Sequence, residues 1–238
     1  YSSARQILEQ YLELSTMHGL KRPEADARVS LGMLELERHR PELASEFLDQ
    51  GFEGFLAAGD RQGALHAQVQ QARAAGRNGD AAAALQIAQT TQLAAETSKG
   101  MPLLIESLRI QAEALRDLQQ LDEALEKIEK SIENCTDQRL PYAEACCWRT
   151  LGKIQRDRGF EWADRSGVAF EKALKLFEKH GARHALAVTR REFASFLIEV
   201  DEPDLANDQL DQALATFSEL DCPEETQMTT EIRDSIAR

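Results

Sequence analysis

Proline and glycine are scarce in this sequence, with 6 prolines and 13 glycines among 238 residues. Most of them separate segments rich in Ala, Leu, Glu, Gln and Arg, which are strong helix formers. We therefore predict an all-α chain of about twelve helices with essentially no β-sheet. Only residues 51–55 and 159–167 are predicted to be locally irregular.

Long hydrophobic runs are missing as well. No run of 18 apolar residues exists, which predicts that no helix crosses a membrane. The segment that opens a signal peptide, a basic stretch followed by an apolar one, is not visible either. The sequence begins at Tyr1 without Met, as expected of a fragment of a longer protein or of a trimmed chain.

Positive charge is in the minority, because 28 Lys and Arg stand against 41 Asp and Glu, for a net charge of −13. The sequence pI is about 4.9. Nucleic acids and anionic membrane surfaces repel an acidic chain as a whole. We therefore expect neither as a partner.

Cysteine occurs only four times, at Cys135, Cys146, Cys147 and Cys222. Two adjacent cysteines on a predicted helix are poorly placed for a disulfide framework, which favours a reducing, cytoplasmic setting. No C-x2-C spacing is present, so the sequence gives little support to a structural zinc site.

Signatures of catalysis and of cofactor binding are absent from the sequence. It contains no glycine-rich phosphate loop, and no nucleophile–base arrangement can be identified by spacing. His180 and His184 are four residues apart, as metal ligands on a helix are, but Gly181 should end the helix between them. No acid or cysteine nearby completes a site. We therefore expect no metal, no cofactor and no enzymatic activity.

What the sequence does contain is a repeat of small residues. The first row, at intervals of 40, 40, 40 and 42, is Gly32, Ala72, Ala112, Gly152 and Ala194. The second row, which follows the first by 12 residues except for one offset of 17, is Ala44, Ala84, Ala124, Ala169 and Ala206. Such a period is typical of stacked two-helix units, each of which buries its apolar face against its neighbours. The larger offset predicts a loop longer by about five residues in the fourth unit, around Phe160 and Trp162.

The residues around these rows point to a family. The fourth unit reads Trp148-Arg-Thr-Leu151-Gly152, and the second helices of the third and fifth units read Ala124-x3-Ile128-x2-Ser131 and Ala206-x3-Leu210-x2-Ala213. These patterns resemble the tetratricopeptide repeat, which opens with W-x2-L-G and has small residues where its two helices cross. The resemblance implies a right-handed superhelical solenoid of antiparallel helix pairs. It implies a single array of five pairs over residues 23–220, with polar-faced capping helices at 1–22 and 221–238.

Two features depart from that family. The period is about 40 residues rather than 34, and the proline that usually follows the second helix is mostly missing. Longer repeats of this kind resemble the tetratricopeptide-like arrays of large bacterial signalling proteins. Those arrays sit beside kinases, nucleotide cyclases, signal-transduction (STAND) ATPases or caspase-like CHAT proteases. An alternative function is therefore a regulatory or sensor segment of a larger enzyme whose catalytic domain lies outside this chain.

In this family, ligands usually lie in a concave groove lined by the first helix of each unit. Positions six and three before the small residue, and one and four after it, share one helical face. In the last four units these positions hold seven basic and two acidic residues, a local charge of +5. The candidate partner-binding residues are Arg73, Arg109, Arg116, Arg149, Lys153, Arg156 and Arg191. The first unit instead places Val29, Met33 and Leu36 there, an apolar end that can take a hydrophobic anchor.

These residues predict a non-enzymatic interaction scaffold. Its partner would be a protein or peptide, acidic or ending in a free carboxylate, or another domain of the same parent chain, because arginine presents a planar fork to carboxylates. Two alternatives stay open. The cations can instead pair with acids inside the array, such as Glu106 and Glu113. The loop with Phe160 and Trp162 can form the contact surface, or it can tuck back over the stack.

Overall fold

The computed structural model describes residues 2–236, and within them the chain is helical with no β-strand. The predicted twelve helices are confirmed, and a single turn of 3-10 helix, η1 (Phe160–Trp162), lies between the eighth and the ninth. The helices are, in chain order, α1 (Ser2–Met17), α2 (Lys21–Glu37), α3 (Pro41–Ala57), α4 (Arg61–Arg77), α5 (Ala81–Ser98), α6 (Met101–Asp117), α7 (Leu121–Gln138), α8 (Pro141–Asp157), α9 (Ala163–Lys179), α10 (Arg183–Glu199), α11 (Pro203–Glu219) and α12 (Pro223–Ile236). None of these helices is long and apolar enough to span a bilayer.

The chain divides into two compact units, residues 1–120 and 121–238. The first unit contains α1 to α6, in which α2 packs on α3, α4 packs on α5, and α4 also contacts α2 and α6. The second unit contains α7 to α12, in which α8 packs on α9, α10 packs on α11, and α10 also contacts α12. Loops of three residues join most of these helices, which makes sequential helices antiparallel neighbours. Each unit is therefore a stack of helix pairs, and we call α2, α4, α6, α8 and α10 the first helices.

Small residues lie where the helices of the pairs within each unit cross, as predicted. All five residues of the first row are buried, and so are the alanines of the second row. A Cβ atom on Gly32 would lie 2.7 Å from Cγ of Leu48 and 3.1 Å from the carbonyl oxygen of Ala44. A Cβ atom on Gly152 would lie 2.9 Å from the ring of Phe170. Because the partner helix occupies this space, only the smallest side chains fit there.

The structure corrects one member of the second row, because Ser166 rather than Ala169 occupies the crossing of the fourth unit. In α3 the buried positions are Ala44, Leu48, Gly51 and Phe55, and in α11 they are Ala206, Leu210, Ala213 and Phe217. Helix α9 repeats this spacing with Ser166, Phe170, Ala173 and Phe177. The hydroxyl of Ser166 donates a buried hydrogen bond of 2.9 Å to the carbonyl oxygen of Gly152. Ala169 is also buried, but one turn further along the helix.

This register makes the insertion in the fourth unit shorter than predicted. The loop between α8 and α9 contains residues 158–162, two more than the three-residue loops of the other pairs. Gly159 has a φ of 100°, which only glycine adopts readily, and η1 follows it. The predicted addition of five residues was wrong because it counted from Ala169 instead of Ser166.

The expectation of irregular backbone at residues 51–55 was also wrong, since the segment lies within α3. Its two glycines reflect close packing and not a break in the helix. A Cβ atom on Gly51 would lie 2.5 Å from Cγ2 of Val29, and one on Gly54 would lie 2.9 Å from Cβ of Ala25. Glycine here lets α2 approach α3.

The two terminal helices differ in the faces that they expose. Helix α1 leaves Ile7, Leu14 and Met17 exposed at 64%, 55% and 71%, beside exposed polar residues such as Glu9 and Glu13. Helix α12 carries the acidic residues Glu231 and Asp234 on its surface, whereas Glu225 is 2% exposed.

The glycines of the first unit provide a direct test of the close crossing. We expect Gly32→Ala to lower the free energy of unfolding by about 1–3 kcal/mol, because the added methyl group overpacks against Leu48. Gly76→Ala is the matched control, since its Cβ atom would lie at an ordinary 3.6 Å from Cβ of Ala84. This variant should gain about 0.5–1 kcal/mol from helix propensity. Urea titrations followed by circular dichroism measure both changes, and equal stability of the two variants would contradict the packing described here.

Candidate functional site

All seven predicted groove cations lie on first helices. The first unit holds Arg73 on α4 and Arg109 and Arg116 on α6, and the second unit holds Arg149, Lys153 and Arg156 on α8 and Arg191 on α10. Each of the seven has a carboxylate within 4.0 Å. The structure therefore contains ion pairs of the kind expected under the alternative in which these cations pair with acids inside the array.

In the first unit, Arg109 contacts two carboxylates of its own helix. Its Nη2 atom lies 2.5 Å from Oε1 of Glu106, and its Nη1 atom lies 2.7 Å from Oε1 of Glu113. The Arg109 side chain is only 6% exposed, so the charge is bound inside the unit. Arg73 reaches across to Glu37 on α2, with an Nη2–Oε1 distance of 3.1 Å.

Glu106 shows the electrostatic consequence of this arrangement. Its burial alone would raise the pKa of the carboxyl group, since burial disfavours the charged form. The charge and hydrogen bonds of Arg109, with a contribution from Arg73, outweigh burial and hold the pKa of Glu106 below its ordinary value. Glu106 is thus a stable carboxylate at neutral pH, and its charge offsets that of Arg109.

The predicted apolar end of the groove is mostly inaccessible. Val29 and Leu36 are each 2% exposed and belong to the core of the first unit. Only Met33, which is partly buried and packs against that core, is reachable from solvent. The first helix of the first repeat therefore offers one apolar side chain and not three.

In the second unit, two cations of α8 share one carboxylate of α10. Arg149 Nε and Lys153 Nζ each lie 3.6 Å from an oxygen of Glu192. The three side chains retain exposures of 16%, 17% and 26%. The guanidinium of Arg149 also lies over the ring of Phe177, 5.8 Å from its centroid. This cluster of Arg149, Lys153 and Glu192, which we call the α8–α10 charge cluster, is partly accessible.

Arg191 has a different environment. It forms an ion pair with Glu225 of α12, and both side chains are almost fully buried, at 8% and 3% exposed. His184 Nε2 lies 3.8 Å from the other oxygen of Glu225, and Arg191 also stacks over Phe217. This buried pair fastens α12 to α10, so Arg191 is a structural residue in this arrangement.

A second column of charge, which the sequence-based count did not include, lies at the end of the first helices. Five residues after the small residue, four of the five first helices end in an acid, namely Glu37, Asp117, Asp157 and Glu199. A carboxylate at a helix C-terminus is unfavourable beside the negative end of the helix dipole. Its recurrence at this position therefore indicates that a nearby cation stabilises each carboxylate. Each of the four pairs with a groove cation, for example Arg156 Nε with Glu199 Oε2 at 3.8 Å.

The local charge of +5 is therefore offset within the molecule. The seven cations contact eight carboxylates, which are Glu37, Glu106, Glu113, Asp117, Asp157, Glu192, Glu199 and Glu225. Counting four positions per helix missed the acids that reach over from neighbouring helices. The 40-residue period could have revealed the acids at the ends of the first helices, because these acids recur as regularly as the small residues do.

No protein-family model matches this sequence, and no curated protein matches it. Solved structures match the fold. The Rap protein complexed with competence and sporulation factor is 14% identical, with 97% of this chain and 68% of that chain covered and a TM-score of 0.76. NprR in complex with its cognate peptide NprX is 14% identical, with 96% and 67% covered and a TM-score of 0.75. A STAND protein with a tetratricopeptide repeat sensor from Pyrococcus horikoshii is 15% identical, with 88% and 32% covered and a TM-score of 0.61. The chain therefore has the tetratricopeptide-like helical-repeat fold.

The contrast between a buried and an exposed ion pair yields a stability prediction. Arg109→Met should lower the free energy of unfolding by about 3 kcal/mol, because it leaves the carboxylates of Glu106 and Glu113 without their cation. Arg28→Met is the control, since Arg28 pairs with Glu24 at the same 2.7 Å and the same spacing along a helix but is 26% exposed. Its cost should stay below about 1 kcal/mol. Comparable losses in a urea titration would show that burial of Arg109 does not matter.

The lowered pKa of Glu106 predicts a dependence on pH. A carboxyl group with a folded pKa below its unfolded value, about 4.3 for Glu, stabilises the fold above that value. This contribution is lost as the pH falls through the folded pKa. The melting temperatures of wild type and Glu106→Gln should therefore differ at pH 6 and converge toward pH 3. Glu53→Gln, on the exposed surface of α3, is the surface control. A constant difference for Glu106→Gln would refute the assignment.

Proposed function

We propose that this chain is a protein-interaction module, without catalytic activity of its own, that binds a peptide or a partner segment on its first helices. The observation that carries the proposal is the α8–α10 charge cluster. Two cations share one carboxylate there, and all three side chains are partly exposed. An incoming carboxylate can therefore reach this cluster from solvent.

The chemistry of the cluster favours a carboxylate as the recognised group. Arginine binds a carboxylate with two parallel hydrogen bonds of about 2.7–2.9 Å. The present Arg149–Glu192 and Lys153–Glu192 distances of 3.6 Å are longer than that. An acidic side chain or a free C-terminus can approach either cation more closely. We assign the ligand to this chemistry, and we place Arg156 at the edge of the same surface.

The structural neighbours support a peptide as the ligand. The NprR structure holds its cognate peptide, and the Rap structure is complexed with competence and sporulation factor. Both match nearly the whole of this chain. We extend peptide binding to this protein on the basis of the fold and of the charge cluster together, since a fold alone does not define function. The four cysteines are free thiols, which is consistent with the cytoplasmic location that we propose.

A second candidate function is a regulatory segment of a larger signalling protein. The observation in its favour is the match to a STAND protein with a tetratricopeptide repeat sensor, which covers 88% of this chain and only 32% of that protein. Under this hypothesis the same first helices bind a ligand or another domain of the parent chain. Sequencing the gene beyond both ends of this chain distinguishes the two functions, because only the second requires an attached catalytic domain.

A peptide-display selection tests the proposed function. The purified chain selects from a library of 12-residue peptides with free C-termini, and we expect enrichment of Asp, Glu or a C-terminal carboxylate motif. Lys153→Glu should then raise the Kd of a selected peptide at least about tenfold, because it removes one charge-assisted hydrogen bond. Lys175→Glu is the control, since Lys175 is 76% exposed on α9 and pairs only with neighbouring Glu171 among the ion pairs described. Calorimetry measures both affinities, and equal effects of the two variants, or selected peptides without acids, would reject the proposal.

A further inference from the structure

The second unit contains a cavity apart from the groove cations. Its volume is about 280 Å³, and it opens to solvent between α8 and the beginning of α9, beside the five-residue loop. None of the seven groove cations lines it, and its lining residues are Trp148, Leu151, Gln155, Asp164, Arg165, Val168 and Ala169. Small-molecule sites usually span about 300–1,000 Å³, so a cavity of this size suits a single side chain better than a cofactor.

Gln155 makes this cavity more than a gap in the packing. The residue is 7% exposed, and its Oε1 atom is buried without a hydrogen-bond partner in the structure. Buried acceptors are almost always satisfied, because leaving one unpaired costs the full desolvation of the group. An amide oxygen accepts and cannot donate, so the missing partner is a group with an N–H or an O–H.

The remaining walls are mainly apolar, except for the charged and exposed residues Asp164 and Arg165. The indole Nε1 of Trp148 donates to Oε1 of Glu144 at 3.2 Å, and the ammonium group of Lys172 lies 4.0 Å from the centroid of the same ring. Val168 is 52% exposed at the mouth of the cavity. The site therefore combines an apolar surface with the buried acceptor of Gln155 and with two exposed charged side chains, Asp164 and Arg165.

We propose that this cavity binds one aliphatic or aromatic side chain of an extended peptide, with the adjacent backbone N–H donating to Oε1 of Gln155. A peptide is the occupant that supplies both features at neighbouring atoms, since each of its residues carries a side chain next to an N–H group. The surface is distinct from the α8–α10 charge cluster, and it recognises apolar groups where that cluster recognises carboxylates.

The loop beside the cavity extends the surface. Trp162 is held between the guanidinium groups of Arg158 and Arg165, at 4.1 Å and 4.5 Å from its ring, which fixes η1 in place. Phe160, on the same turn of helix, is 85% exposed. Only this pair of helices has the two additional loop residues, and they present an aromatic ring to solvent. Phe160 provides a second apolar contact for a peptide longer than one residue.

The two tryptophans of the chain make the test direct, because Trp148 lines the cavity and Trp162 lies in the adjacent loop. The probe is N-acetyl-L-leucine methylamide, which carries one side chain and two N–H groups. We expect a saturable shift of the Trp148 indole signal in proton–nitrogen NMR spectra, with a millimolar Kd as befits so small a ligand. Trp162→Phe assigns the two indole signals. N-acetylglycine methylamide, which has no side chain, should cause no saturable shift.

Variants separate the two parts of the proposal. Val168→Asp should abolish the shift, and Leu205→Asp should leave it unchanged, because Leu205 is equally exposed at 52% but lies on α11. Gln155→Leu should weaken binding up to about tenfold, as should a probe methylated at every nitrogen so that it lacks N–H groups. Circular dichroism confirms that each variant folds.

Three results would overturn the proposal. The first is a Trp148 signal that does not move, and the second is the same affinity in Val168→Asp as in wild type. The third is unchanged binding by Gln155→Leu, which would show that the hydrogen bond assigned to Gln155 does not form. Lys153→Glu should not affect this binding, so a failure here and a failure of the carboxylate site remain distinguishable.

Discussion

Two antiparallel helices approach closely only where the side chains between them are small, and the whole structure depends on that condition. Gly32 and Gly152 let Leu48 and Phe170 of the partner helices fill the space that a Cβ atom would occupy. Each crossing sets the separation of one helix pair, and repeating it within each unit stacks the pairs of that unit. The register of the stack then decides which residues of the first helices are buried and which are accessible.

That register also explains why a serine can replace an alanine. Ser166 occupies a crossing where the other pairs have alanine, and its hydroxyl group is buried. The close approach brings the carbonyl oxygen of Gly152 within 2.9 Å, so the polar group that the small side chain introduces is satisfied. The residue at a crossing must therefore have a small side chain. That side chain can be polar where a neighbouring backbone carbonyl accepts its hydrogen bond.

The fold could be predicted from the sequence because its signal is periodic and local. Twelve helices follow from the helix-forming segments and the few glycines and prolines between them. The register of α9 could not be found by searching for alanine, since the residue at the crossing is a serine. The charge balance of the candidate site was harder still to predict from the sequence. Positions on one helix predict which cations share a face, but Glu192 and Glu225 come from other helices and become neighbours only when the stack forms.

Charge balance determines how such a surface can recognise a partner. An unpaired basic groove would attract any anion, whereas a face on which cations already contact carboxylates binds only by exchange. The gain is then the difference between the new contact and the old one, which is small unless the geometry of the new contact is better. Around Glu192 the present contacts are 3.6 Å long, while around Arg109 they are 2.5–2.7 Å long and the arginine is buried. Exchange is therefore less costly around Glu192 than around Arg109, which is why the proposed carboxylate site lies at the α8–α10 charge cluster. Electrostatic contacts of this kind contribute specificity more than affinity, so a tight partner must add apolar contacts elsewhere on the molecule.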